Sequence, residues 1–203
     1  MTDWSEQAPL WGGGRFWLQA QGSLSARLAA TGRVFDVQVL RQGRGPVTVD
    51  ETCALGVEGQ HEGYVREVVL RLDAEAMVFA RSVTPCDDSL ARWRSLRWLG
   101  TSPLADVLFT RADISRLPMQ YTRLKPTGPT YRHVAHAWQE ATEHTLTHQP
   151  LPARRSLFVR HAAPLLVLEV FAAPSSVWRG LAHSPRKHQG RQSITRGMIP
   201  TDS

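Results

Sequence analysis

The 203-residue sequence predicts an α+β fold built on a mostly antiparallel β-sheet. Three observations lead there. Apolar and polar residues alternate over several short runs, the period-two signature of strands. Two pairs of such runs are joined by only a few residues, so consecutive strands must lie side by side as hairpins. The helical patterns between them are few and short.

Residues 1–21 hold Trp4, Trp11, Phe16 and Trp17, a lead-in expected to pack on the body. GSLSARLAATG follows. Ser23 is placed to cap a short helix, Leu24 and Leu28 share a face, and Gly32 stops it. VFDVQVLRQG alternates and reads as a strand from Val34 to Leu40 that ends at Gly43, and PVTVDETCALG is expected to extend the same sheet. YVREVVLRLDAEAMVFARSVTP, residues 64–85, is two apolar runs around the polar turn DAEA. After it the period changes. DDSLARWRSLRWLG places Leu90, Trp93 and Leu96 or Arg97 in helical step, with Asp87 or Asp88 as cap and Gly100 as stop. TSPLADVLFTR then restarts, with Ser102 as cap and Pro103 at the first helical position. Trp93 and Trp98 are expected in the core. ARRSLFVRHAAPLLVLEVFAAP gives two closing strands around HAAP.

The body is thus a single domain over residues 1–178. Within it, 125–153 is bracketed by proline and reads as a polar, helix-forming insertion. Its His133, His136, His144 and His148 read as surface residues rather than as a metal set, because no cysteine or carboxylate cluster accompanies them. The net charge of +6 and pI near 10.1 invite a nucleic-acid reading. However, Arg179, Arg186, Lys187, Arg191 and Arg196 stand against Asp202 alone, so the basicity belongs mostly to residues 179–203. That stretch has no hydrophobic period and is expected to be a disordered tail. No apolar run approaches the ~18 residues of a spanning helix. The N-terminus lacks the basic start and apolar core of a signal peptide. Cys53 and Cys86 have neither metal nor redox spacing and read as reduced thiols. A cytoplasmic, monomeric chain without membrane insertion is expected.

Chemistry concentrates on charges set among apolar residues. Arg66 keeps step with Val68, Leu70 and Leu72, and Arg81 keeps step with Met77, Phe79 and Val83. A turn centred between Ala74 and Glu75 places Arg66 and Arg81 as diagonal neighbours on one apolar face, roughly 7–8 Å apart. Glu67 and Arg71 then fall on a solvated face. A buried guanidinium stays charged and needs an anionic partner. Either the two arginines reach the sheet edge or internal acids, or they serve a ligand with more than one negative charge. Glu169 is the lone charge of PLLVLEVF and keeps step with Leu165, Val167 and Phe171. A carboxyl group there must be paired or must keep its proton. It is either half of a structural salt bridge or an acid-base-capable group in a polar pocket. Leu24 and Leu104 lie in the first turns of serine-started helices, whose free amides favour anions. Together these suit a small dicarboxylate.

Five stretches in order resemble the chorismate lyase (chorismate pyruvate-lyase) family of ubiquinone biosynthesis: GSLSARL, YVREVVL, FARSVTP, LGTSPLADVLF and PLLVLEVFAAPSS. The agreement runs over about residues 16–178, apart from the insertion. The resemblance implies an antiparallel sheet with short helices forming flaps over a buried ligand cavity. It implies elimination of pyruvate from chorismate to give 4-hydroxybenzoate, with no cofactor or metal. By it, Arg66 binds the ring carboxylate, helped by the backbone amides of Leu24 and Leu104, and Glu169 meets the ring hydroxyl. Arg81 is the natural partner of the enolpyruvyl carboxylate. Ala80 stands where the family favours glycine, so its methyl group narrows the cavity. Two rival readings remain. One is a non-catalytic sensing domain of the same fold, for which the few residues ahead of the sheet leave no room for a DNA-reading domain. The other is nucleic-acid binding through the tail.

Overall fold

The computed structural model describes residues 2–182. Its framework is set by two hairpins. In the first, β2 (Glu62–Leu72) and β3 (Glu75–Thr84) are joined by Asp73 and Ala74, with φ of 49° and 65°. In the second, β6 (Leu151–Arg160) and β7 (Ala163–Phe171) are joined by His161 and Ala162, with φ of 47° and 65°. Two successive left-handed residues make the turn whose twist matches that of paired strands. Asp73 holds its conformation by accepting from the Val34 amide at 2.8 Å and from Arg33 Nε at 2.7 Å.

β1 (Phe35–Pro46) pairs with β2 at one edge, and β3 pairs with β7 at the centre. At the other side β6 pairs with the short β4 (Ile114–Arg116) and with β5 (Gln120–Leu124). All these pairings are antiparallel, and the strand path is β1-β2-β3-β7-β6-β4. This is the fold class read from the sequence.

Among the described residues seven α-helices cover the two faces. On one face lie α1 (Arg15–Leu18), α2 (Leu24–Ala29), α4 (Cys86–Leu90), α5 (Ala105–Leu108) and α7 (Ser175–Ala182). There Trp17, Leu24, Leu28 and Trp178 pack with Val68, Leu70 and Phe171, and Trp93, Leu96, Leu104 and Leu108 pack with Phe158 and Leu165. On the other face lie α3 (Val49–Leu55) and α6 (Pro129–Thr142). Tyr131, Val134 and Trp138 of α6 join Val69, Phe79, Leu168 and Val170, while Leu55 of α3 joins Val65, Val83 and Leu166. Both faces of β3 and β7 are therefore buried, which explains why their sequences run apolar almost without alternation.

Several local expectations change. α2 forms as expected, with Ser23 Oγ accepting from the Ala26 amide at 2.9 Å. PVTVDETCALG does not extend the sheet. Thr48 and Glu51 form a reciprocal capping box, so the stretch becomes α3. Residues 87–100 are not one helix. α4 ends at Leu90 and a 3-10 segment, Arg94–Trp98, follows. The break lets Trp93 turn inward and donate Nε1 to the Ala163 carbonyl at 3.2 Å. Trp98 is 85% exposed and Leu90 is also exposed, so neither belongs to the core. Ser102 does not cap α5, which starts at Ala105. The Ser102 carbonyl instead accepts from Arg66. The proline-bracketed segment supplies a core-forming helix, not a purely solvated one. At the C-terminus α7 runs to Ala182 with Trp178 fully buried, so residues 179–182 are helical rather than disordered. The rest of the expected tail lies outside the described residues.

Candidate active site

The register of β2 and β3 decides which charges share a face. The turn alone pairs Leu72 with Glu75 and Arg71 with Ala76. Continued, that count would set Arg66 opposite Arg81. A bulge intervenes between Leu70 and Arg71, leaving Met77 as the extra residue, so Arg66 faces Ser82 and Glu67 faces Arg81. Because opposed residues share a face, Arg66 and Arg81 lie on opposite sides of the sheet. The expected diagonal pair of arginines does not form.

The Arg66 face holds a partly open pocket between the sheet and the short helices. Its floor is two rows of opposed residues. One row is Arg66, Ser82, Val167 and Ser156 across β2, β3, β7 and β6. The next is Val68, Ala80 and Glu169, and Arg154 continues this row on β6 beneath the lining. Leu24 and Ser25 of α2, with Pro103, Leu104 and Leu108 at α5, close over it. Five residues singled out in the sequence therefore meet here: Leu24, Arg66, Ala80, Leu104 and Glu169.

Arg66 is 3% exposed. Its Nη2 donates to the carbonyls of Gly100 and Ser102, both at 3.0 Å, while Nε has no partner. No carboxylate pairs with it among the described residues. Burial pushes its pKa down, against a smaller opposing effect of Tyr64. A buried guanidinium stays charged and calls for an anionic partner. Glu169 stands two strands across and one residue pair along, roughly 12 Å from Arg66 between backbones. Its Oε2 accepts from Arg154 Nε at 2.5 Å. Arg154 is fully buried and its Nη1 also donates to the carbonyls of Trp17, Leu18 and Ala20 at 3.3, 3.1 and 2.8 Å. The chain leaving α1 thus wraps the guanidinium and fixes the carboxylate at the cavity edge.

Arg154 was missed in the sequence, although counting outward from a two-residue turn at His161 and Ala162 sets it opposite Glu169. Arg116 was missed too. It comes from the three-residue β4, lines the cavity, and donates Nε and Nη2 to Ser156 Oγ at 3.0 and 2.7 Å.

On the far face Arg81 is surrounded by acids. Nε meets Glu51 Oε1 at 2.6 Å, Nη2 meets Glu51 Oε2 at 3.1 Å and the Pro46 carbonyl at 2.8 Å, and Nη1 bonds Glu67. His133 Nε2 lies 2.6 Å from Glu67 Oε1. Glu67 is buried, not solvated as its alternation suggested. Burial opposes the Arg81 charge, but Glu51 and Glu67 outweigh it and hold its pKa above the ordinary value. Burial likewise opposes ionisation of Glu67, and His133 with Arg81 outweighs it, so this carboxyl sits below the ordinary glutamate value. Arg81 is thus a paired structural cation away from the cavity. Of the other histidines, His136 lies 3.6 Å from Glu140, one turn along α6. Among the described residues no helix is long and apolar enough to cross a membrane.

A sheet with a partly open pocket between its face and two short helices, lined by two arginines without a carboxylate partner among the described residues and by one paired carboxylate, has the chemistry to suit a small anionic molecule. The family model for chorismate lyase matches residues 9–181. The chain belongs to the chorismate lyase family, a family of lyases. It is 52% identical over 187 residues to the "Probable chorismate pyruvate-lyase" of Albidiferax ferrireducens, covering 92% of this chain and 95% of that one. It is 37% identical over 174 residues to "Probable chorismate pyruvate-lyase 1" of Pseudomonas fluorescens, covering 83% and 88%. Among solved structures, PhnF from Mycobacterium smegmatis superposes with a TM-score of 0.50 at 14% identity, covering 76% of this chain and 65% of that one. That likeness is one of fold alone.

Proposed function

We propose that the chain eliminates pyruvate from chorismate to give 4-hydroxybenzoate, the step that opens the route to ubiquinone, and that it does so as a cytoplasmic monomer. The observation that carries this is the cavity itself. Arg66 has no carboxylate partner among the described residues and lies at one end of the floor, and the Arg154-held Glu169 stands two strands away.

Chorismate has a carboxylate at ring carbon 1, a hydroxyl at carbon 4 and an enolpyruvyl ether at carbon 3. Arg66 takes the ring carboxylate, the backbone at Leu24 and Leu104 closes over it, and Glu169 receives the hydroxyl. The C3–O bond breaks with its electrons going to the ether oxygen, and the hydrogen at C4 leaves as the ring becomes aromatic. That hydrogen reaches the methylene carbon of the enolpyruvyl group, directly or through water, and pyruvate results. Aromatisation supplies the driving force. The protein holds a reactive conformer, excludes water and stabilises charge on the departing group.

The test is to incubate purified protein with chorismate and a chelator, following 4-hydroxybenzoate by chromatography and pyruvate by a coupled dehydrogenase. Equal formation of both above the uncatalysed rate is expected. Folded protein that binds 4-hydroxybenzoate but forms no product would make the chain a sensing domain instead.

A further inference from the structure

Chorismate is a dianion, and Arg66 answers only one of its carboxylates. The charged side chains lining the cavity are Arg66, Glu169 and Arg116. Glu169 is matched by Arg154 from beneath. The cavity therefore keeps two guanidinium groups that form no ion pair with a carboxylate among the described residues, Arg66 and Arg116.

Arg116 is built into place. Ser156 Oγ accepts from both its Nε and its Nη2. Its guanidinium carbon lies 5.8 Å from the centre of the Phe109 ring and 5.4 Å from that of Phe158. Burial and the charge of Arg154 press its pKa down, partly offset by Glu169. Its position is the informative part. Ser156 lies one strand over and one residue pair along from Glu169, at the opposite end of the row from Arg66. In chorismate the ether carbon adjoins the hydroxyl-bearing carbon. A ring held by Arg66 and Glu169 therefore puts its enolpyruvyl group beside Arg116. Arg116 is only half-buried and Phe109 is 44% exposed, whereas Arg66 is 3% exposed.

Resting on the reading above, we propose that Arg116 is the second substrate anchor: it binds the enolpyruvyl carboxylate, steadies the enolate as the C3–O bond breaks, and marks the side from which pyruvate departs. Ser156 is its positioning residue. The assignment takes the role that Arg81 cannot fill from the far face.

The experiment compares wild type with Arg116→Gln and Arg116→Lys in chorismate turnover and in calorimetric binding of 4-hydroxybenzoate, which lacks the enolpyruvyl group. Arg116→Gln is expected to lower kcat/KM by about 10²- to 10³-fold, as loss of one charge-stabilising donor does. Its affinity for 4-hydroxybenzoate should be retained, which also shows that the variant folds. Arg116→Lys should recover part of the loss. Chorismate esterified at the enolpyruvyl carboxylate should be a poor substrate for wild type, with Arg116→Gln discriminating far less between ester and acid. Turnover equal to wild type in Arg116→Gln, or a loss of 4-hydroxybenzoate affinity as large as the loss of turnover, would overturn the assignment alone. Wild-type protein that makes no product would remove the lyase reading together with it. Should the glutamine variant not fold, the lysine variant and the ester decide the matter.

Discussion

Arg154 and Glu169 face each other across β6 and β7, with Nε 2.5 Å from Oε2. The arginine is fully buried and is also tied to three carbonyls near the end of α1. This couples stability to the site. Glu169→Gln keeps an acceptor for Arg154 but removes its charge partner. A stability loss of about 1.5–3 kcal/mol is expected, the worth of a hydrogen bond to a charged group. Turnover measured well below the melting transition should fall by about 10²-fold, the lower end of the range for a positioned acid-base group. Full turnover in a variant with a lowered melting temperature would reduce Glu169 to a structural half of the pair.

The proposed reaction gives Arg66 two tasks, to take the ring carboxylate and to tie the Gly100 and Ser102 carbonyls ahead of α5. Arg66→Gln removes the charge while keeping a donor for those carbonyls. Affinity for 4-hydroxybenzoate is expected to fall about 10²-fold, near the worth of charge-assisted hydrogen bonds to a carboxylate. Arg66→Lys should recover little, because one ammonium cannot span both carbonyls and the ligand in the same plane. Calorimetry with 4-hydroxybenzoate reads this directly, and wild-type affinity in either variant would take Arg66 out of the ring-carboxylate role.

The sequence carried the antiparallel sheet, α2, both hairpins and five residues of the pocket, Arg66, Glu169, Leu24, Leu104 and Ala80. Arg66 and Glu169 interrupt patterns that are otherwise regular, and an interruption is visible. The side taken by Arg81 was not visible. EAMVFARSVT is apolar on both faces because β3 is central, so alternation cannot fix its register, and one bulged residue moves every later side chain across the sheet. Arg116 sits in a strand of three residues, too short to show a period. α3 was masked by the alternation of PVTV, although Thr48 and Glu51 have the spacing of a capping box. Arg154 needed only a turn count, since its pairing with Glu169 follows from His161 and Ala162.

The far-face network predicts a pH signature. Glu67 is held below its ordinary value of 4.5 by His133 and Arg81, against the effect of burial. A carboxyl with a lowered folded-state pKa contributes stability that is complete above its unfolded value and disappears as pH falls through its folded value. Glu67→Gln should cost about 1.5–3 kcal/mol at neutral pH, the worth of hydrogen bonds to charged groups, because Arg81 keeps Glu51 but loses its second carboxylate. The gap between variant and wild type should narrow once pH drops below the ordinary glutamate range. Denaturant titrations at several pH values measure it. A gap that stays constant into the acid range would mean that the pair does not stabilise the fold through charge.

Ala80 tests the cavity's fit from its floor. It lies opposite both Val68 and Glu169 and lines the pocket in which the proposed reaction puts the ring. Ala80→Val adds two methyl groups there, and β3 is paired on both sides and cannot retreat. Overpacking of this kind costs about 1–3 kcal/mol when the added bulk meets protein. Here the bulk faces free space in the unliganded chain, so the cost should appear mainly when ligand enters. The variant is expected to melt within a few degrees of wild type, yet to bind 4-hydroxybenzoate at least tenfold more weakly, about the lower bound for one misplaced methylene in a pocket. Ala80→Gly should do the reverse. It opens the floor and relaxes selection against ring substituents, at about 0.5–1 kcal/mol of stability for a glycine within a strand. Paired calorimetry and melting curves separate the two effects. A valine variant that melts early but binds 4-hydroxybenzoate normally would place the methyl group against protein, and the ring elsewhere in the cavity.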